Sequence, residues 1–102
     1  MNDAVFVALA DPTRRQLLER LAMGPKTATG LAGRFPLTRQ GVVKHLGALA
    51  DAGMVAKERH GREVRYRLES APLGEATVWL TTLAARWEQR LQRLKRYVEE
   101  QP

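Results

Sequence analysis

The chain has 102 residues, a formal net charge of +6 and no cysteine, with an isoelectric point near 10.5. That length fits one domain with a modest core, and the charge favours an acidic partner, either nucleic acid or an anionic membrane surface. The absence of cysteine excludes disulfides and thiolate metal sites. The opening stretch MNDAVFVALADPTRR has no basic region ahead of its short apolar run, so it does not read as a signal peptide. No apolar run nears the roughly 20 residues that span a bilayer. The expectation is a soluble cytoplasmic protein without a membrane partner.

In chain order, Val5, Phe6 and Leu9 suggest a short first helix over Asp3 to Leu9. Asp11 is then a good N-cap, and Pro12 sits where its missing N–H is harmless. Leu17, Leu18 and Leu21 share one face of this second helix, which Gly24-Pro25 stops. Thr27 or Thr29 can cap a third, short helix through Leu31 and Ala32, ending near Phe35-Pro36 because the residue before a proline is biased away from helix. Thr38 caps the next one. Its apolar residues Val42, Leu46 and Leu49 are spaced by four and three, and Gly53 is a natural C-cap.

After Gly53 the period becomes two. Val64, Tyr66 and Leu68 alternate with Glu63, Arg65 and Arg67, which is a strand pattern. The turn falls at His60-Gly61-Arg62, where Gly61 is free to take positive φ. Ser70 and Pro72 open a last helix running to about Glu99.

The expected fold is mainly α with a small β-hairpin, arranged as a winged helix-turn-helix in one domain over 1–102. The recognition helix covers 38–50, the wing hairpin 54–69 and a dimerisation helix 72–99. In such a fold the second helix of the pair enters the major groove with its N-terminal residues leading. The first helix of the pair would be Thr29 to Arg34. Arg39 and Gln40 fall in the first turn of the second, and Lys44 one turn later. Arg reads guanine and Gln reads adenine with two hydrogen bonds each, and Val43 can meet a thymine methyl. Thr38 leaves helix-start N–H groups that suit a phosphate. In the wing, Lys57, Arg59, Arg62, Arg65 and Arg67 against Glu58 and Glu63 leave +3 in eleven residues, half the charge of the chain. Arg62, at the tip, is the first choice for a phosphate or minor-groove contact. Together these features point to double-stranded DNA as the partner.

The last helix carries Leu73, Ala76, Leu80, Leu83, Trp87, Leu91, Leu94 and Val98 in one stripe. About 27 residues at 1.5 Å each span about 40 Å, whereas a 100-residue globule has a radius of gyration near 13 Å. Part of the helix therefore overhangs, and its stripe calls for a second copy packed about a two-fold axis. The run Val5-Phe6-Val7 is a candidate to join that interface. The expected state is a homodimer through the terminal helices, which presents two recognition helices to a palindromic operator.

The segments ALADPTRRQLLERL and TRQGVVKHLGALADAGMVAKERHGREVRYRL resemble the ArsR-type winged-helix transcriptional repressors of bacteria and archaea. The likeness covers Val5 to Leu68, and HLGALADAGMV is its most specific piece. The resemblance implies a repressor and places Thr38, Arg39, Gln40, Val43, Lys44 and His45 at base- and phosphate-facing positions; its own promoter is expected among its targets. Val43 departs from the Ser common in the family. The WEQRLQRL segment of the last helix is closer to metal-independent members. The cysteines of one family metal site correspond to Thr27 and Thr29, and hydroxyls do not replace soft thiolates. The last helix has no His, and Glu99 and Glu100 are adjacent and so diverge. No metal or other cofactor is expected, and the effector is left open.

No cysteine nucleophile, Gly-rich phosphate loop or apolar carboxylate pair is present, so an enzyme is not expected. A second reading of the same element order is a winged helix that binds protein or RNA, with its basic hairpin as a polyanion patch. It would call for exposed apolar residues on the helix that instead carries Arg39, Gln40, Lys44 and His45.

Overall fold

A computed structural model describes residues 3–101. Their elements are α1 (Asp3–Leu9), α2 (Pro12–Leu21), β1 (Lys26–Thr27), α3 (Ala28–Ala32), α4 (Arg39–Asp51), β2 (Val55–His60), β3 (Glu63–Leu68) and α5 (Ala71–Glu99). The strands form one antiparallel sheet in the order β1-β3-β2. Apart from a shift of α3, the helices and hairpin fall where the sequence pattern puts them. The two-residue strand β1 is an addition: Lys26 pairs with Tyr66 and Thr27 with Arg65, so the wing is anchored to the segment that leads into α3.

Local chemistry sets the boundaries. Asp11 Oδ1 accepts from the amides of Thr13 at 2.8 Å and Arg14 at 3.2 Å, satisfying two of the open donors at the start of α2. Thr27 Oγ1 accepts from Gly30 N and Thr38 Oγ1 from Gly41 N, each at 3.0 Å. Thr27 is thus the cap of α3, which begins and ends earlier than the expected Thr29 to Arg34. The end of α4 is a Schellman motif: Met54 N donates to Leu49 O and Gly53 N to Ala50 O. Gly53 takes φ +79° there, a conformation that costs other residues a Cβ clash. At the wing tip only Gly61 and Arg62 separate the strands, and Gly61 has φ +63°. Ser70 makes no capping hydrogen bond at the start of α5.

The amide bonds to Asp11, that from Arg14 first, hold its carboxyl below the usual carboxylate range. A depressed folded-state value contributes stability above the ordinary value and loses it as the pH falls through that range. Asp11→Ala is therefore expected to lower the urea midpoint at pH 7, with the difference from wild type shrinking below about pH 4. Asp11→Asn caps without titrating and should flatten that pH dependence. An Ala deficit that is the same at pH 3 and pH 7 would contradict this account.

The core lies where α2, α3 and α4 meet the base of the sheet. Leu17, Leu31, Val42, Leu46, Leu49 and Met54 are its fully buried side chains, and Leu21 and Tyr66 join them. α1 closes one side. Val5 is 3% exposed and belongs to this core, which corrects its expected place on a dimer surface; Val7 is the member of that run that faces out. Phe6 is half-buried and meets Trp79 of α5 edge to face, with ring centroids 5.6 Å apart.

α5 touches this body only through its first turns. Ala76 is its one buried residue, and every residue from Thr77 to Glu99 is exposed. At 1.5 Å per residue its 29 residues extend about 44 Å. The radius of gyration is accordingly 19.4 Å, with a long axis of 74 Å. Among the described residues no helix is long and apolar enough to cross a membrane.

Candidate nucleic-acid interface

The inward side of α4 is fixed by Val42, Leu46 and Leu49, all fully buried. At 100° per residue, Gln40 and Lys44 then point away from the core. Both are exposed, and neither has a hydrogen-bond or ion-pair partner among the described residues. Arg39 is exposed on one flank, where its Nε donates to Thr29 Oγ1 at 3.2 Å. This leaves its two terminal NH₂ groups, the pair that a guanine edge takes. Thr38 is exposed at the helix start beside them. The described structure thus brings Thr38, Arg39, Gln40 and Lys44 together on one open helix end, as the sequence pattern indicates.

Two residues of the same helix sit elsewhere. Val43 is half-buried and packs on the core from the Arg39 side, facing the wing. His45 is half-buried on the opposite flank, where its Nδ1 accepts from Arg14 Nε of α2 at 3.3 Å. The expected base- or phosphate-facing His45 thus lies to one side of the exposed cluster, where this contact links α4 to α2. An imidazole flanking an apolar face reads as polar surface in sequence, and its partner lies 31 residues away.

The wing's charge is unevenly free. Arg67 is held by Glu58 at 2.6 Å and by Glu69. The His60 hydrogen bond to Glu58, together with Arg67, lowers the Glu58 carboxyl from its ordinary value. Arg65 pairs with Glu63 at 3.3 Å, and Arg59 Nε donates to Gly61 O at 3.4 Å across the tip. Lys57 and Arg62 have no such partner among the described residues. Arg62 thus combines the tip position with an unengaged guanidinium. Arg59 and Arg65 are exposed but already engaged.

Lys57 escaped the sequence reading as a site residue. Its register opposite Tyr66 turns it to the face that looks towards α4, which alternation alone does not orient. Among the described residues no group of three or more His, Cys, Asp or Glu could hold a metal ion.

A three-helix body with a helix-turn-helix pair and a basic wing defines the winged helix-turn-helix class. A model of the helix-turn-helix domain family matches residues 9–58. The chain is 34% identical over 80 residues to the transcriptional repressor SdpR of Bacillus subtilis, covering 78% of this chain and 88% of that one. It is 42% identical over 69 residues to the HTH-type transcriptional regulator CmtR of Mycobacterium tuberculosis, covering 68% of this chain but only 58% of that relative. An ArsR-like transcriptional regulator from Rhodococcus superposes with a TM-score of 0.85 at 38% identity, covering 97% of this chain and 91% of that one. A winged helix-turn-helix DNA-binding domain from Mycobacterium bovis, described as homodimeric and as a possible ArsR-family regulator, superposes with a TM-score of 0.66 at 26% identity, covering 80% and 76%. The chain belongs to the ArsR-type winged helix-turn-helix family. It is a DNA-binding transcriptional regulator rather than an enzyme.

Proposed function

We propose that the protein acts in the cytoplasm as a homodimeric repressor that occupies two-fold symmetric operators, that of its own promoter included. In this reading the whole chain is one unit, with residues 38–50 reading the major groove, 54–69 forming the wing and 72–99 joining two copies. Arg39 and Gln40 read bases, and Thr38 and Lys44 grip phosphate. Arg62 enters the minor groove or meets its backbone, with Arg59 and Arg65 as flanking charges and Val43 as an apolar neighbour. His45 acts indirectly, through Arg14. Leu80, Leu83, Trp87, Leu91, Leu94 and Val98 form the dimer seam, with Phe6 near its start.

The observation that carries this reading is one molecule with two unsatisfied surfaces. An α4 start presents Gln40 and Lys44 without side-chain partners among the described residues, and an α5 stripe leaves Trp87 58% exposed and Leu94 59% exposed. A monomer that buries neither gains nothing from either. A second copy covers the stripe and sets two recognition helices for half-sites about one turn of DNA apart. The name of SdpR as a repressor and the homodimeric relative from M. bovis support the same assignment. No metal is needed as effector, since Thr27 and Thr29 offer hydroxyls rather than soft thiolates.

Selection of bound DNA from a random pool tests the reading directly. A two-fold symmetric consensus is the expected result, and an asymmetric or absent consensus contradicts it. On the selected site, Arg39→Ala is expected to cost about 1–3 kcal/mol and to relax preference at one base position. Arg62→Ala should weaken all sequences alike and reduce the salt slope by about one counterion. Equal losses on selected and random DNA for Arg39→Ala would remove Arg39 from base reading.

A further inference from the structure

We propose that the cleft between the starts of α3 and α4 and the wing binds a small organic anion, an aromatic or other apolar body bearing one carboxylate, whose presence there excludes DNA. The cleft has a volume of about 530 Å³, within the range of small-molecule sites. Its floor is apolar: Val43 from α4 and Tyr66 and Val64 from β3. Val64 is 40% exposed at the wing although it continues the apolar face of that strand. Around this floor stand three cations, Arg39, Lys57 and Arg62. Among the described residues Lys57 and Arg62 lack a carboxylate partner, and Arg39 is engaged only by the Thr29 hydroxyl. The single carboxylate of the lining, Glu63, is already paired with Arg65.

DNA phosphate accounts for the cations and a thymine methyl for Val43, but neither accounts for exposed Val64. A phosphate contact needs donors and no apolar surface, and exposed Val64 beside half-buried Val43 and the Tyr66 ring gains from covering by carbon. An amphiphilic anion satisfies both halves of the lining at once. Its carboxylate would meet Lys57, and its body would lie against Arg39 and Arg62, which the proposed operator complex also uses, so the two occupants compete. This consequence for DNA rests on the functional reading above; the site itself does not.

The probe is 1-naphthoate, compared with 1-naphthalenemethanol, which keeps the ring and lacks the charge. Binding is followed on the full chain without DNA by amide chemical-shift changes. Naphthoate is expected to shift Thr29, Val43, Val64 and Tyr66 and to bind about tenfold more tightly than the alcohol, the ordinary worth of a charge-assisted contact. Lys57→Gln should remove most of that preference while leaving the alcohol's affinity unchanged, and Val64→Asn should weaken both ligands. Dispersed amide spectra establish that each variant is folded. Equal affinity for the two ligands, no binding by either, or shifts confined to α5 would overturn the site. On a selected operator fragment, naphthoate should raise the apparent Kd in proportion to its concentration. Unchanged operator affinity at saturating naphthoate would overturn the competition. Failure to bind any DNA in the absence of naphthoate would instead strike the functional reading and leave the ligand arms decisive.

Discussion

A chain carrying Leu91→Glu and Leu94→Glu is expected to be monomeric, folded, and weaker than wild type by orders of magnitude at the operator. Both leucines lie on the projecting part of α5, 40% and 59% exposed. Burial of a leucine contributes about 1.5–3 kcal/mol per side chain, and a two-fold seam counts each change twice. The double change puts four carboxylates into one apolar seam, where unpaired charge is costly. The winged body should survive, because from Thr77 onward α5 contributes nothing buried to it. Each monomer keeps Arg39, Gln40 and Arg62 but reaches one half-site only. Weak, salt-sensitive binding remains, as expected of phosphate contacts. Gln89→Glu with Gln92→Glu adds the same charge nearly opposite the stripe at 100° per residue and should leave the dimer intact. Light scattering, circular dichroism and a gel-shift series read mass, fold and affinity. A variant that stays dimeric, or a monomer that holds the operator like wild type, rules out this seam.

What the sequence made legible follows from the range of the interactions involved. Asp11-Pro12, Thr38 and Gly53 act within four residues, and each sets its helix end as read. The 3.6-residue spacing of Val42, Leu46 and Leu49 and the two-residue alternation of Tyr66 and Leu68 need only their own segments. The errors lie where a distant partner decides. β1 is two residues long and exists because β3 pairs with it, so no period within Lys26-Thr27 could signal it. His45 looks like surface until Arg14 is brought against it. Val5, Phe6 and Val7 are equally apolar, and only the docking of α1 decides that Val5 goes inward, Phe6 meets Trp79 and Val7 faces out. Val64 has the right alternation but sits where the wing extends past the core. It becomes cleft lining rather than core. The outward base-reading candidates were legible because they are the residues left when the core face of α4 is subtracted. Lys57, across the cleft, was not, because strand register rather than alternation turns it towards Val43 and Arg39.

Leu46→Ala should be the most destabilising single truncation in the recognition helix. Leu46 is fully buried and belongs to one core cluster with Leu17, Leu49 and Met54, so its loss removes methyl groups and leaves a cavity that rigid neighbours fill only in part. Such changes cost about 2–5 kcal/mol, a large share of the roughly 5–15 kcal/mol that holds a domain folded. The melting temperature should fall by about 10 °C or more, measured at fixed protein concentration because a dimer's midpoint depends on it. The side chain itself points away from DNA: at 100° per residue it lies about 120° from Gln40 and 160° from Lys44. Operator affinity should therefore stay close to wild type at temperatures where the variant is fully folded, and fall only as the folded fraction falls. Two measurements separate the outcomes. A melting temperature unchanged by Leu46→Ala would contradict its place in the core. A collapse of operator affinity in a fully folded variant would mean that this one side chain sets the tilt of α4, and that the reading of bases by Arg39 and Gln40 depends on core packing as closely as on their own contacts.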